Sequence, residues 1–144
     1  MRLDKLHKFT IDRFETESGF EIMNLRLAYR VFGKPNAKRD NIILVFHALT
    51  GDANCAGYKT QQGRIAGWWE GLFQDEKGID LSKYCVICPN HPGSCYGSSG
   101  PFDIETGSTS PLGSDFPDFT TRDIVNAHAD LIKDLKITTL HAVV

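Results

Sequence analysis

Residues 42–51 read IILVFHALTG. The first five are apolar, three of them β-branched, and they show no alternation of polar and apolar positions. That is the pattern of a strand covered on both faces, as in a parallel sheet. The run stops at His47, and Ala48-Leu49-Thr50-Gly51 follows with the small residues of a turn. In open α/β sheets the chemistry sits beyond the C-terminal ends of the parallel strands. This one stretch therefore suggests a fold class and a place to look for a site. His47 can be read as a base, as a structural residue, or as a marker for the backbone beside it.

Two further apolar runs resemble the first: YCVIC (84–88) and LHAVV (140–144). The segments between the three are long enough for crossover connections. The last crossover has the clearest helical pattern. Thr120 can cap with Asp123 three residues on, and Ile124, Val125, His128, Leu131, Ile132 and Leu135 form an apolar stripe at helical spacing. Asp130, Lys133 and Asp134 are expected to face out. His128 falls on or near the stripe, where a packed, hydrogen-bonded histidine is the expected reading. GWWEGLF (67–73) is compatible with a short helix in the first crossover. Upstream, residues 6–14 and 20–31 alternate as strands do, and Glu17-Ser18-Gly19 makes a turn between them, so an antiparallel pair is expected. A polar loop, 33–41, leads into Ile42. The expectation is one α/β domain over residues 1–144, with antiparallel lead-in strands followed by parallel strands and crossover helices.

The chain has 144 residues, 41% hydrophobic and 24% charged, which suits one domain with a packed core. Its net charge of −2 and the lack of a basic patch argue against nucleic-acid binding. No apolar run approaches the roughly 18 residues that cross a bilayer. The N-terminal MRLDKLHKFT is charged throughout and lacks the apolar centre of a signal peptide, so a cytoplasmic location is expected. Cys85 and Cys88 have CxxC spacing but lie in a strand-like run, where positions three apart point to opposite faces. Buried, reduced cysteines are expected rather than a redox or zinc pair.

Between Asn90 and Pro117 lies a long loop rich in Gly, Ser and Pro, and such a loop in a small domain is usually functional or mobile. Within it, GSCYG (93–97) has the form of a nucleophile elbow centred on Cys95. An elbow needs a helix immediately after it, and the residues that follow Gly97 show no helical period. A glycine-rich substrate loop is the favoured reading. Ser98 and Ser99 lie outside any elbow pattern. Among His7, His47, His91, His128 and His141, a structural role is expected for His141 within its strand, and His91, before a proline at a strand end, stands as a weak candidate for chemistry. No Ser-His-Asp set and no metal-ligand spacing can be assembled, and no Walker or Rossmann glycine pattern is present.

ESGFEIMNLRLAYRVFGKPN, NIILVFHALTGDA, GWWEGLF, GIDLSKYCVICPN, GSSGP and FPDFTTRDIVNAH follow one another in the order and spacing of a known family. From about Glu17 onward the chain resembles the N-terminal part of the homoserine O-acetyltransferases, acyltransferases with the α/β-hydrolase fold. The resemblance implies transfer of an acetyl group from acetyl-CoA, as substrate rather than bound cofactor, to the hydroxyl of homoserine, on the route to methionine. It implies an acyl-enzyme on a serine, with a histidine base oriented by an aspartate. It places that nucleophile elbow, the aspartate, the histidine and a helical cap used for homodimerisation beyond Val144. Within the chain it implies the backbone N–H of Leu49 as one oxyanion donor, with Thr50, Gly51, Asn90, Gly97 and Ser98 bordering the substrate cleft. No catalytic side chain and no metal site is then expected in residues 1–144, and His47 is expected to hold the turn rather than act as a base. The loop after GSSGP departs from the family at Phe102, Asp103, Ile104, Glu105 and Thr106. Because the loop borders the cleft in the family, the departure bears on acetyl versus succinyl as donor and homoserine versus serine as acceptor. The other readings are an esterase-type hydrolase of the same fold and a non-catalytic remnant.

Overall fold

A computed structural model describes residues 5–73, 78–104 and 109–144. Its centre is a five-stranded sheet. Strand β1 (His7–Glu15) pairs antiparallel with β2 (Glu21–Phe32) around the turn closed by Gly19 N–H on Thr16 O. β3 (Ile42–Leu44) comes next in the chain, then a small two-stranded ribbon, β4 (Tyr58–Thr60) and β5 (Gly63–Ile65). β6 (Cys85–Pro89), helix α1 (Thr121–Asp134) and β7 (Ala142–Val143) complete the order. Across the sheet the strands run β1-β2-β6-β3-β7. β6, β3 and β7 are mutually parallel, and β2 meets β6 antiparallel. The lead-in pair and the three parallel runs are thus where the sequence puts them.

The continuous apolar runs are explained by a core on each face. From β3 and β6, Ile42, Leu44, Cys85 and Ile87 point to the face covered by α1, where Ile11, Leu25, Leu27, Ala127 and Leu131 join them. Ile43, Val45, Val86 and Cys88 point to the opposite face, against Cys55, Ala56 and Phe32. Each fully buried Leu, Ile or Val side chain contributes about 1.5–3 kcal/mol relative to exposure. Cys85 and Cys88 are therefore on opposite faces. All four cysteines are free; Cys55, Cys85 and Cys88 are buried, whereas Cys95 is exposed.

Three expectations need correction. The first crossover holds no α-helix among the described residues. Among the described residues it carries the β4–β5 ribbon, and the short helix expected within 67–73 is a 3-10 turn at Glu70–Phe73. The turn residues between Thr60 and Gly63 and the positive φ of Gly63 make the ribbon, a signal too short to stand out. Second, Val125 is 46% exposed, while Asp123 and Ala127 are buried. The helix leans on β1 and β2, which rotates its inner face away from Val125. Val125 instead borders an apolar groove with Ile132, Leu140 and Val143, next to the edge strand β7. Third, the regular part of β7 is only two residues. His141 N–H on Ile42 O and Val144 N–H on Leu44 O extend its ladder at 2.7 and 3.0 Å.

The start of α1 has the expected cap. Thr120 accepts from Asp123 N–H, and the Asp123 carboxylate accepts from Thr120 N–H. That carboxylate also accepts from Glu17 N–H at 2.8 Å, so the cap ties the helix to the β1–β2 turn. The helix ends in a Schellman motif, with Ile137 N–H on Ile132 O, Lys136 N–H on Lys133 O and Lys136 at φ 55°. No helix among the described residues is long and apolar enough to cross a membrane.

Candidate functional site

β3 and β6 end side by side, and the two loops that leave them form the site. After β3, Gly51 N–H bonds Ala48 O at 2.8 Å, closing a turn over Ala48–Gly51. Neither Leu49 nor Thr50 has positive φ, so the turn is type I. Leu49 occupies its second position with its side chain 95% exposed. Gly51 is needed for space rather than for a left-handed conformation: a Cβ there would lie 2.8 Å from Cβ of His47.

Three histidines meet beneath this turn. The rings of His47 and His91 stack at 3.7 Å between centroids, and His91 and His128 at 5.1 Å. The hydrogen bonds fix their protons. His91 N–H can only donate, and it lies 3.1 Å from His47 Nε2, so His47 carries its proton on Nδ1. That Nδ1–H donates to Ala48 O at 2.7 Å. His91 Nε2–H donates in turn to His47 O at 3.0 Å, which leaves His91 Nδ1 to accept from His128 Nε2–H at 3.5 Å. Burial pushes His91 down to about 4, helped by the neighbouring His47 and opposed by the bond to the His47 carbonyl. Burial, then His91 and His47, pushes His128 down to about 3. Both are neutral at ordinary pH. The rings stack rather than converge, and among the described residues no group of His, Cys, Asp or Glu is arranged to hold a metal ion.

Among the described residues, cavities open around the two loops. One of about 600 Å³ is lined by His47, Leu49, His91, Phe116, Phe119 and Ile124. A second, about 360 Å³, is lined by Thr50, Gly51, Asp52, Asn54, Trp68 and Tyr96. Trp68, in its wall, donates Nε1–H to Asp52 O at 2.9 Å. A third, about 180 Å³, lies among Arg26, Cys95, Gly97, Ser98, Phe102 and Asp103.

Leu49, Thr50, Gly51, Gly97 and Ser98 thus all border cavities, though not one common cavity. The Ser98 hydroxyl is already committed. It accepts from Ala28 N–H at 2.9 Å and donates to Asn90 O at 2.7 Å. Asn90 is wholly buried, donating its amide to Ser94 Oγ, and it supports the loop from within instead of facing the cleft. Ser99 does for Arg26 what Ser98 does for Ala28: Ser99 Oγ accepts from Arg26 N–H at 3.0 Å, and Arg26 O accepts from Ser99 N–H at 2.8 Å. The serines of GSSG continue the β2 ladder past the end of β6. Arg26 also pairs with Asp103 at 2.7 Å, which gives one of the departing loop residues a partner on the sheet. Phe102 is exposed, and Glu105 and Thr106 lie outside the described residues. GSCYG is followed by bends and turns rather than a helix, so Cys95 does not sit on an elbow. The histidine cluster escaped the sequence reading, because nothing in the spacing of His47, His91 and His128 announces that they touch.

No family model matches the chain. Among curated proteins, it is 43% identical over 129 residues to the homoserine O-acetyltransferase of Deferribacter desulfuricans, covering 90% of this chain and 34% of that one. It is 39% identical over 137 residues to that of Carboxydothermus hydrogenoformans, covering 95% and 36%. The solved homoserine O-acetyltransferase of Bacillus anthracis superposes with a TM-score of 0.89 at 32% identity, over 99% of this chain and 40% of that one. The chain resembles the homoserine O-acetyltransferase family and shares its α/β-hydrolase fold. It spans about a third of the length of the curated relatives it matches. Esterase E22 also superposes, with a TM-score of 0.86 at 28% identity, over 96% of this chain and 39% of that one.

Proposed function

We propose that the chain is the oxyanion-turn portion of an O-acyltransferase that moves an acetyl group from acetyl-CoA to the hydroxyl of homoserine. The observation that carries this reading is the type I turn at the end of β3, whose Leu49 lines the 600 Å³ cavity. In this reading the Leu49 N–H meets the negative oxygen of the tetrahedral intermediate. A serine, its histidine base and the orienting aspartate belong to the remaining length of the relatives, as does the helical cap through which homodimers form. Thr50, Gly51 and Gly97 border the cleft, in a cytoplasmic enzyme of methionine biosynthesis.

The 144-residue chain by itself has no acetyltransferase activity, since one oxyanion donor without a nucleophile offers no covalent route. Purified chain incubated with homoserine and acetyl-CoA tests this, and turnover above buffer refutes it. The role of the turn is tested in a chimera that replaces the matching part of the Bacillus anthracis enzyme with this chain. Leu49→Pro suits the second position of a type I turn and removes the N–H, and Leu49→Ala controls for the lost side chain. The proline variant should lower kcat about 10²–10³-fold with little change in KM. An unchanged kcat rejects Leu49 as the donor. A second reading, hydrolysis of acetyl esters, is favoured by the superposition on esterase E22. The same chimera, offered an acetyl ester without homoserine, separates water from homoserine as acceptor.

A further inference from the structure

We propose that His47 is a positioning residue for the oxyanion donor: its Nδ1–H holds the carbonyl of the Ala48–Leu49 peptide and thereby aims the N–H on the other side of that peptide. The inference rests on the reading of Leu49 given above, but its geometry is independent of it. Ala48 O and Leu49 N–H belong to one peptide unit. No peptide bond among the described residues is cis, so the carbonyl and the N–H point in opposite directions across a rigid plane. Whatever fixes Ala48 O therefore fixes Leu49 N–H.

Two donors converge on that oxygen, Gly51 N–H at 2.8 Å from within the turn and His47 Nδ1–H at 2.7 Å from below. The turn bond holds this carbonyl through a single donor, while the type I to type II flip moves only the following peptide, Leu49–Thr50. The imidazole adds a second anchor outside the turn. Donation to a carbonyl also polarises the peptide and strengthens its N–H as a donor.

His47 can do this only as the Nδ1–H tautomer, and His91 enforces that. The backbone N–H of His91 occupies His47 Nε2, and the His91 ring holds His47 O. One residue at the end of β6 thus locks both the ring and the backbone of the residue that locks the turn after β3. The stacked ring of His91 leaves His47 little room to rotate.

The test needs no turnover. Long-range ¹H–¹⁵N correlation on the wild-type 144-residue chain should show neutral His47 with its proton on Nδ1. Asparagine places an N–H where Nδ1 stands, and glutamine reaches to where Nε2 stands. His47→Asn should therefore keep the residual dipolar coupling of the Leu49 N–H, whereas His47→Gln should change it, with neighbouring strand amides constant in both. A proton on Nε2 in the wild type overturns the proposal, even if neither variant folds. Equal displacement of the Leu49 N–H in the two variants overturns it as well. In the chimera, His47→Gln should lower kcat about tenfold, roughly the net value of one neutral hydrogen bond, and His47→Asn should restore most of it. If Leu49→Pro leaves kcat intact while the wild-type tautomer and the dipolar couplings come out as stated, the oxyanion reading fails and the His47 clamp stands.

Discussion

His128 sits at the far end of the histidine stack, donating toward His91 Nδ1 at 3.5 Å, while its own Nδ1 is buried with no hydrogen-bond partner among the described residues. A cluster built this way holds His91 and His128 neutral. His91 lies near 4 and His128 near 3 in the folded chain, against an ordinary value of about 6.5. In the window between, the unfolded chain binds more protons than the folded one, so stability rises with pH. It is fully present above about pH 6.5 and is lost as pH falls toward 4 and then 3.

The unfolding free energy from urea titration should accordingly fall between pH 8 and pH 5.5, by roughly 1 kcal/mol for each of the two histidines. His128→Leu removes one titrating group and one unsatisfied nitrogen. Its stability relative to wild type should improve as pH is lowered from 8 to 5.5. A pH-independent difference would contradict the neutral stack.

Ser98→Ala leaves the buried N–H of Ala28 without its acceptor, and Ser99→Ala does the same to Arg26 N–H. Each should cost about 1–3 kcal/mol in denaturant titration, the cost of an orphaned buried donor. Hydrogen exchange at Ala28 should accelerate selectively in the first variant. Loss confined to substrate handling, with stability and exchange unchanged, would instead give Ser98 a role in the cleft.

The thiols should separate sharply in reactivity. Burial raises Cys85 to about 11, and donation of the Cys88 thiol to Cys55, together with burial, raises Cys88 far above the ordinary thiol range. Only the thiolate reacts. Iodoacetamide should label exposed Cys95 fast in the native chain and all four cysteines in denaturant, read by peptide mass spectrometry. Fast native labelling of Cys85 or Cys88 would show that the sheet opens there.

Asp123→Ala breaks the cap at three points: Thr120 N–H, the Thr120 hydroxyl and Glu17 N–H. A loss of about 1–2 kcal/mol is expected by thermal melting. Burial works to raise the Asp123 carboxyl, but these hydrogen bonds outweigh it and hold the group below its usual range. Its contribution is present above about pH 4 and is lost as pH falls below that, so the variant and wild type should converge in strong acid.

Val143 and Val144 are exposed on edge strand β7, beside the apolar groove that includes Val125 and Ile132. An open strand edge next to an apolar surface invites association. Gel filtration should show concentration-dependent self-association, and Val143→Lys should reduce it. A wild-type chain that stays monomeric at high concentration would count against this.

The lead-in pair, the three parallel runs and the Thr120–Asp123 cap were legible in the sequence because each depends on neighbours within a few residues. Alternation fixes which faces a strand buries, and a capping residue needs only its third successor. The departures came where distant parts of the chain compete. Val125 follows the helical period but lies off the sheet, because contacts with β1 and β2 rotate the helix. The first crossover has room for a helix, yet it forms a ribbon, and its tight Gly63 turn is a signal of only a few residues.

HALTG could be read as a turn at a strand end from its residues alone, and its resemblance to a family pointed to the N–H of Leu49. Local sequence determined that much, since turn chemistry and apolar periodicity are properties of short segments. Only the tertiary structure decided what His47 does. Its partner His91 is 44 residues away, and His128 is 37 further on. They meet because β6 lies parallel to β3 in a register that ends both strands together. No spacing along the chain encodes that register. It arises from the packing of two strands and a helix, and it converts three scattered histidines into one support for a single peptide bond.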